Sequence, residues 1–348
     1  MKPAKKMLGS TAAALAVVLP TVTAHQTPAS AAAEPCAREI MPALPGSTGT
    51  DVRGGDPGGH YQFGSSQDAN DESHNVLWQE GTARELPIPT ADGNATPADV
   101  NQSGEIAALT RENDDFQGWR YRSGQVTSLP SPQSARSAQP TAINGGGGIA
   151  GTAFYAPQER DGYAVVWSAG NAVRKLPRPD GFNEARASDI DDDGTVVGYL
   201  QQWDYPNARL LDERAVAWSA DGSWRFLAGL VPNAHTKALT IRDGRVVGTE
   251  QGRDHALAWD ARSGEATELP THGRPVAINS HGSVALDPGS GDMALLQQGV
   301  ERPLPVADPY MSNGSVAALT DTDVVYGSDR VWDGDRQASV IQPVRWRC

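Results

Sequence analysis

The sequence predicts an all-β fold: a seven-bladed β-propeller with four-stranded blades of about 44 residues, its N-terminal strand completing the last blade. Three observations predict it. A Gly-rich turn motif recurs seven times, a second half-motif ending near Leu-Pro follows each copy, and the strand missing from the C-terminal unit is found at the N-terminus.

The first half-motif reads ADVNQSGEIAA from Ala98, TAINGGGGIAGT from Thr141, SDIDDDGTVVGY from Ser188, LTIRDGRVVGT from Leu239 and VAINSHGSVAL from Val276. AALTDTDVVYG from Ala317 is a looser copy, and VRGGDPGGHYQFG from Val52 is the most divergent. Their turn residues, Gly59, Gly104, Gly147, Gly194, Gly244, Gly282 and Asp323, recur at intervals of 38 to 50 residues. Apolar residues on both sides of a turn that favours the left-handed backbone predict a hairpin, the first two strands of each unit.

The second half-motif places an apolar pair and an aromatic before a polar turn and Leu-Pro. It reads VLWQEGTARELP ending at Pro87, WRYRSGQVTSLP at Pro130, VVWSAGNAVRKLP at Pro177 and LAWDARSGEATELP at Pro270. Units four and six vary it as VAWSADGSWRFLAGL and ALLQQGVERPLP. This is a second hairpin, so each unit supplies the four strands of a blade. A solenoid of the same units is the alternative architecture, and the chain ends argue against it.

The last unit stops at PVRWRC, with Trp346 in the aromatic position and no fourth strand. At the other end CAREIMPALPG carries Leu44-Pro45, which the spacing from Cys36 places in the Leu-Pro position. Cys36 and Cys348 are the only cysteines, and in an exported chain the default is one disulfide joining them. A lipid-modified Cys36 and two free thiols are the alternatives, although AEPC lacks the character of a lipidation site. The bond would restore the last hairpin covalently.

Residues 1–33 read as a secretion signal: Lys2, Lys5 and Lys6, then the apolar MLGSTAAALAVVLP, then the small residues of ASAAA. Residues 34–348 are then a single propeller domain, secreted, soluble and monomeric. Removing three of the five lysines takes the formal charge from −13 to −16, which argues against nucleic acid and anionic membrane as partners.

Asp189, Asp191 and Asp193 before Gly194 match the opening of an EF-hand loop, but the twelfth position is Leu200 where a bidentate carboxylate is required. Sibling units do not repeat the ligand set, so a hairpin turn is expected. Gly146, Gly148 and Gly151 have dinucleotide-loop spacing but lead into TAFYAPQ, not a helix. No metal-type histidine cluster and no nucleophile elbow occurs, so no catalytic residue, metal or cofactor is expected.

The connections between second and third strands vary most, and variable loops on a repeated scaffold are where binding resides. In the fourth, Trp203, Tyr205, Leu210 and Leu211 lie among charged residues, the anatomy of a partner-binding hot spot. Trp332 in the seventh is a further candidate. Gln297 and Gln298 occupy the last turn of unit six, where Leu296 replaces the usual aromatic, and are candidate transglutaminase-reactive residues. With Lys175 and Lys237 alone remaining, the chain is a poor amine donor.

These units resemble the HAF-type extracellular repeats, patterned aIN..G.VVG followed by an aromatic turn and Leu, over nearly the whole chain after residue 33. More narrowly, the acidic, two-cysteine, seven-unit chain is similar to the dispase autolysis-inducing proteins of filamentous soil bacteria. That resemblance implies no hydrolase. It implies binding to secreted neutral metalloproteases of the thermolysin type, promotion of their autolysis, and a role as glutamine donor for a transglutaminase, with no site residues carried over. The reading from another class is a propeller lyase or glycan-binding module using an acidic channel mouth. A wall-associated structural protein is a third.

Overall fold

The computed structural model describes residues 33–348 except 92, 114, 157–159, 253–255, 272, 288–292, 309–313 and 335. The expected signal at 1–33 lies outside the described residues save for the last position. Residues Ala33–Cys348 form one compact unit.

Seven four-stranded antiparallel sheets form a seven-bladed β-propeller. In blade 1 the strands run in order from the channel outwards: Gly49–Gly55, Tyr61–Gln67, Ser73–Gln79 and Thr82–Glu85. The innermost strands of blades 2 to 7 are Thr96–Val100, Ser137–Ile143, Glu184–Ile190, Thr236–Arg242, Arg274–Ile278 and Ser315–Leu319. Blade 7 adds Val324–Asp333 and Ala338–Arg347 and takes its outermost strand, Ala37–Ile40, from the other end of the chain. That strand pairs from Ala37 opposite Arg347 to Ile40 opposite Val344, and Cys36 is disulfide-bonded to Cys348 with Cα atoms 4.5 Å apart. Closure by the N-terminal strand therefore holds.

Its register differs from the sequence expectation. Leu86, Leu129, Leu176 and Leu304 of the Leu-Pro pairs are buried plugs and Leu269 is a half-buried one, and the N–H of the plug bonds the third strand of its own blade, as Leu86 does to Asn75 and Leu176 to Ala164. In blade 7 that bond runs from Met41 to Pro343, so Met41-Pro42 holds the position, not Leu44-Pro45. Methionine fills the same hole as leucine, which is why spacing alone misplaced it by three residues.

What joins blade to blade is an indole. Trp78, Trp167, Trp218, Trp259 and Trp346 are buried on third strands. Their Nε1–H groups donate to the carbonyls of Pro42, Pro130, Pro177, Ala228 and Pro305, each just beyond the plug of the preceding blade, at 2.6 to 2.8 Å. Two residues beyond each indole's cross-strand partner comes a second-strand glycine, Gly64, Gly151, Gly198, Gly248 or Gly327, and at Gly64, Gly151 and Gly327 the ring lies against it. A Cβ at Gly198 would overlap the Arg186 carbonyl, and at Gly151 it would also stand 2.8 Å from the Trp167 ring. Where the indole is replaced the glycine is replaced too. Blade 2 has Tyr121 in the place of the indole and Ala108 in that of the glycine, and blade 6 has Leu296 and Leu286, each second-strand residue lying two beyond the cross-strand partner, Ile106 or Val284. The VVG and W signatures of the repeat are two halves of one packing unit.

Every innermost strand carries a β-bulge at the same level, as between Val52 and Gly54 or Ala187 and Asp189. The extra residue of each strand lies on the wall of the central channel.

Candidate functional site

The channel has two unlike ends. At the turn end, about 250 Å³ is enclosed by all seven innermost strands and the first turns, with Asp99, Asp189, Asp191 and Asp192 set against Arg53 and Arg242. Here the turns hold one another. Asn101 Nδ2 donates to the Asn144 carbonyl and Asn144 Nδ2 to that of Asp191, at 3.0 and 2.8 Å. Asp191 Oδ2 accepts the Gly244 N–H at 2.7 Å, and Arg242 pairs with both Asp192 and Asp321.

The aspartates of the EF-hand-like run belong to this turn lattice. Asp189 accepts from the N–H groups of Ile190 and Ile241 and from the Thr240 hydroxyl. Asp191 accepts from Asp192, Asp243 and Gly244, and Asp193 from Thr195. Leu200 is fully buried in a strand. The glycine run at 145–148 is likewise a turn, with Gly147 in the left-handed region at φ 76°.

Asp99 and Asp189 line the channel wall, half-buried by surface but enclosed by protein around the bore. Burial, opposed by the Ile143 N–H and increased by repulsion from Asp189, pushes the Asp99 carboxyl up to about 8. Burial likewise raises Asp189 to about 6, against its three donors. Each carboxyl reaches into the next blade to take an N–H there.

The opposite end opens into a vestibule of about 690 Å³ lined by Gln139, Thr152, Arg186, Tyr199, Arg274 and Asp287. Its charged side chains are Arg186, Arg274 and Asp287, so it is not the acidic mouth expected for a glycan site; carboxylates outnumber guanidiniums at the turn end instead. Around this vestibule stand the long hairpins. In blade 4, Val196–Asp204 and Arg209–Trp218 extend to a 3-10 turn at Tyr205–Asn207, where a loop was expected.

The candidate residues on this hairpin divide. Trp203 is half-buried, its indole N–H on Gln201 Oε1 at 3.1 Å and its backbone paired with the Asn183 side chain. Tyr205 folds back over the ring: its hydroxyl bonds Glu184 at the start of its own blade, the Arg160 guanidinium of blade 3 lies 5.1 Å from its ring, and burial, then the Glu184 carboxylate, pushes its phenol up to about 12. Leu210 pairs with Trp203 and is half-buried. Leu211 is the extra residue of a bulge and is 43% exposed. Trp332, opposite Ser339 on the blade 7 hairpin, is 51% exposed.

The sequence reading missed Leu230 and Val231, exposed at 37% and 45% in the connection from blade 4 to blade 5. Arg214 of the blade 4 hairpin reaches Asn233 at 3.4 Å, so this connection lies beside that hairpin. The signal was present in LAGLVP, where unit four abandons Leu-Pro.

At the last turn of blade 6, Gln298 and Gly299 both have positive φ, and Gln298 is exposed. Gln297 is half-buried, its amide donating to Asp323 at 2.7 Å. Lys175 Nζ sits 3.9 Å from the Tyr155 ring centroid and 4.5 Å from that of Tyr163, while Lys237 lies over Tyr199 and pairs with Glu213 at 3.2 Å.

One titratable group on the hairpin face escaped the sequence reading, which sought close histidine spacings. Asp68, Glu72 and His74 of blade 1 bring possible ligand atoms within 4.8 Å of one another. His74 Nδ1 is held by Glu85 at 3.1 Å.

Neither a protein-family model nor a curated protein matches the chain. Solved structures do. A prolyl endopeptidase, described for inter-domain dynamics in catalysis and specificity, aligns with TM-score 0.58 and 13% identity over 85% of this chain and 50% of that one. The structure of U3-55K aligns at 0.55 and 12%, over 90% and 100% of the two chains. YCF48 bound to D1 peptide aligns at 0.52 and 12%, over 91% and 96%. The chain spans about half the length of the prolyl endopeptidase. At such identities the likeness is one of fold: the chain is a seven-bladed β-propeller.

Proposed function

We propose that the protein is a secreted, non-enzymatic scaffold of HAF-type repeats that binds neutral, thermolysin-type metalloproteases through its hairpin face and promotes their autolysis. The observation that carries this reading is the exposed apolar set Leu211, Leu230, Val231 and Trp332 on that face. Apolar side chains rimmed by charge are suited to a protein partner. YCF48, a propeller of similar fold, has been solved with a bound peptide, which supports this use of the scaffold.

The mechanism is preferential binding to a protease conformer with an opened surface loop. Such binding raises the cleavable population by no more than the preference for that conformer. Purified protein mixed with a thermolysin-type protease should shorten the life of the intact protease, and the combined Trp203→Ala, Leu210→Ala, Leu211→Ala, Trp332→Ala variant should not. An unaltered protease sinks the reading.

Gln298 is the proposed acyl donor to a transglutaminase, because its side chain is exposed on a two-residue turn while Gln297 is tied to Asp323. With both lysines resting on tyrosine rings, the chain gives glutamine and offers little amine in return. Gln298→Asn should remove most incorporation of a labelled primary amine; undiminished labelling assigns the reactivity elsewhere.

A second reading has one observation in its favour. The vestibule carries Arg186, Arg274 and Tyr199, a set suited to an anionic glycan. Saturable binding of a uronate oligomer, without effect on any protease, would select it.

A further inference from the structure

Between blade 7 and blade 1, at the hairpin end of the strands, lies a cleft of about 400 Å³. Arg330 and Ser339 line it from blade 7, and Asp51, Arg53, Ser65 and Ser73 from blade 1. Strand alternation sets the first wall: Ser328, Arg330 and Trp332 share one face of Val324–Asp333, and Ser328 Oγ accepts the Val52 N–H at 2.8 Å, so that face looks onto blade 1. Ser339 stands opposite Trp332 on the adjoining strand, which puts its hydroxyl on the same side.

The charges in this cleft do not balance. Asp51 is committed to Arg53 Nε at 3.0 Å and to the Ser65 N–H at 2.9 Å. Arg330 is half-buried, and its one polar contact among the described residues is Nη1 donating to the Ser339 hydroxyl at 3.2 Å. Its Nε is buried with no acceptor. Arg242 also has an Nε without an acceptor, but Asp192 and Asp321 hold its terminal nitrogens at 2.9 and 2.8 Å. Arg330 has no such counter-ion among the described residues, in a chain whose formal charge is −13. A guanidinium partly withdrawn from water and answered by no carboxylate is costly to keep, so it points to an anion from outside the chain.

We infer that this cleft receives the carboxylate of an Asp or Glu side chain presented by a partner polypeptide. One carboxylate supplies the single negative charge that is missing, whereas a dianion would meet Asp51. Its oxygens would accept from Arg330 Nη2 and from the Ser339 hydroxyl, whose own proton is free because its oxygen accepts from Arg330. Ser65 and Ser73, 3.1 Å apart, share one hydroxyl proton and leave the other to the ligand. Trp332, two residues along the same face and 51% exposed, offers an apolar platform to the residue beside the acid, and Arg with Trp is the pairing that anchors protein interfaces. The inference gives a chemistry to the partner proposed for the hairpin face and rests on that reading for the use of Trp332. A peptide probe tests the cleft without any protease, so the two can fail separately.

Titration of the folded protein with acetyl-Gly-Glu-Leu-Gly-amide, followed through the Arg330 Nε–H resonance in nitrogen-15 NMR, is the test. A saturable shift is expected, with affinity about tenfold above that of the same peptide carrying Gln in place of Glu. Arg330→Gln should remove the preference for Glu over Gln while circular dichroism stays that of the parent. Should that variant not fold, Ser339→Ala, which takes away one donor, should weaken binding severalfold, and the position of the shifted resonance in the unaltered protein decides. No saturable shift, equal affinity for the Gln peptide, an unchanged preference in folded Arg330→Gln, or a shift at Arg53 instead of Arg330 would each overturn the inference. So would tighter binding of trigalacturonate than of the peptide, which would give the cleft to a glycan.

Discussion

On the turn face, Asn101 reaches the turn of blade 3 and Asn144 that of blade 4, while Arg242 pairs with the turns of blades 4 and 7. On the hairpin face, the longest hairpins end in Leu211 and Trp332, each about half exposed. The turn face must close the ring, so its side chains are committed to neighbouring blades and its sequence repeats. The hairpin face also ties blades together, as where Arg336 donates to the Ser47 and Thr48 carbonyls and Arg160 lies against Tyr205, but its longest hairpins keep exposed tips, so its sequence is freer to vary and can serve something outside the molecule. Substitutions should therefore cost stability on the closure side and activity on the hairpin side.

The largest effect should come from closure itself. Cys36→Ser with Cys348→Ser releases a loop of 312 residues, for which the chain-entropy model gives about 6 kcal/mol. Calorimetry under oxidising conditions should show a marked fall in Tm; an unchanged Tm would mean that the paired strand, not the bond, does the closing.

Next should be Gly198→Ala, whose methyl overlaps the Arg186 carbonyl and should cost about 3 kcal/mol by denaturant unfolding. Gly170→Ala, on an outer turn with only Ser168 Oγ within reach at 3.8 Å, is the matched control and should cost well under 1 kcal/mol.

A smaller effect should follow pH. A carboxyl whose folded value is raised holds its proton longer in the folded chain, so stability falls as pH rises from the ordinary carboxyl range towards the raised value. With Asp189 near 6 and Asp99 near 8, Tm should decline between about pH 4 and 8, and Asp99→Asn should flatten the upper part of that decline. A parallel decline in the variant would assign it to other groups.

The smallest effects on stability belong to the hairpin face. Leu211→Ala and Trp332→Ala should each change unfolding by about 0.5 kcal/mol or less, while the combined hairpin variant abolishes the effect on protease. A large loss of stability would show that these side chains pack within the ring.

Blade number, hairpin order and closure were legible because all seven blades repeat the first turn and five repeat one packing unit, and a repeat states its own rules. Gly198 and Trp218 announce each other in every unit that keeps them. The site was legible only in part. Trp203 and Tyr205 look alike from their charged neighbours, but their burial depends on Asn183, Glu184 and Arg160, partners in the entering strand and in another blade that local sequence does not reveal. Leu230 and Val231 were hidden for the opposite reason, since a departure from Leu-Pro was read as variation in the repeat rather than exposed surface.

The indole hydrogen bonds are absent at two junctions, blade 1 to blade 2 and blade 5 to blade 6, where Tyr121 and Leu296 stand instead. These are seams. They divide the circle into an arc of blades 2 to 5 and an arc of blades 6, 7 and 1, and the disulfide lies inside the second. Thermal opening should begin by parting the arcs rather than by fraying at the chain ends, so that the two halves gape like a clasp while each keeps its internal ties.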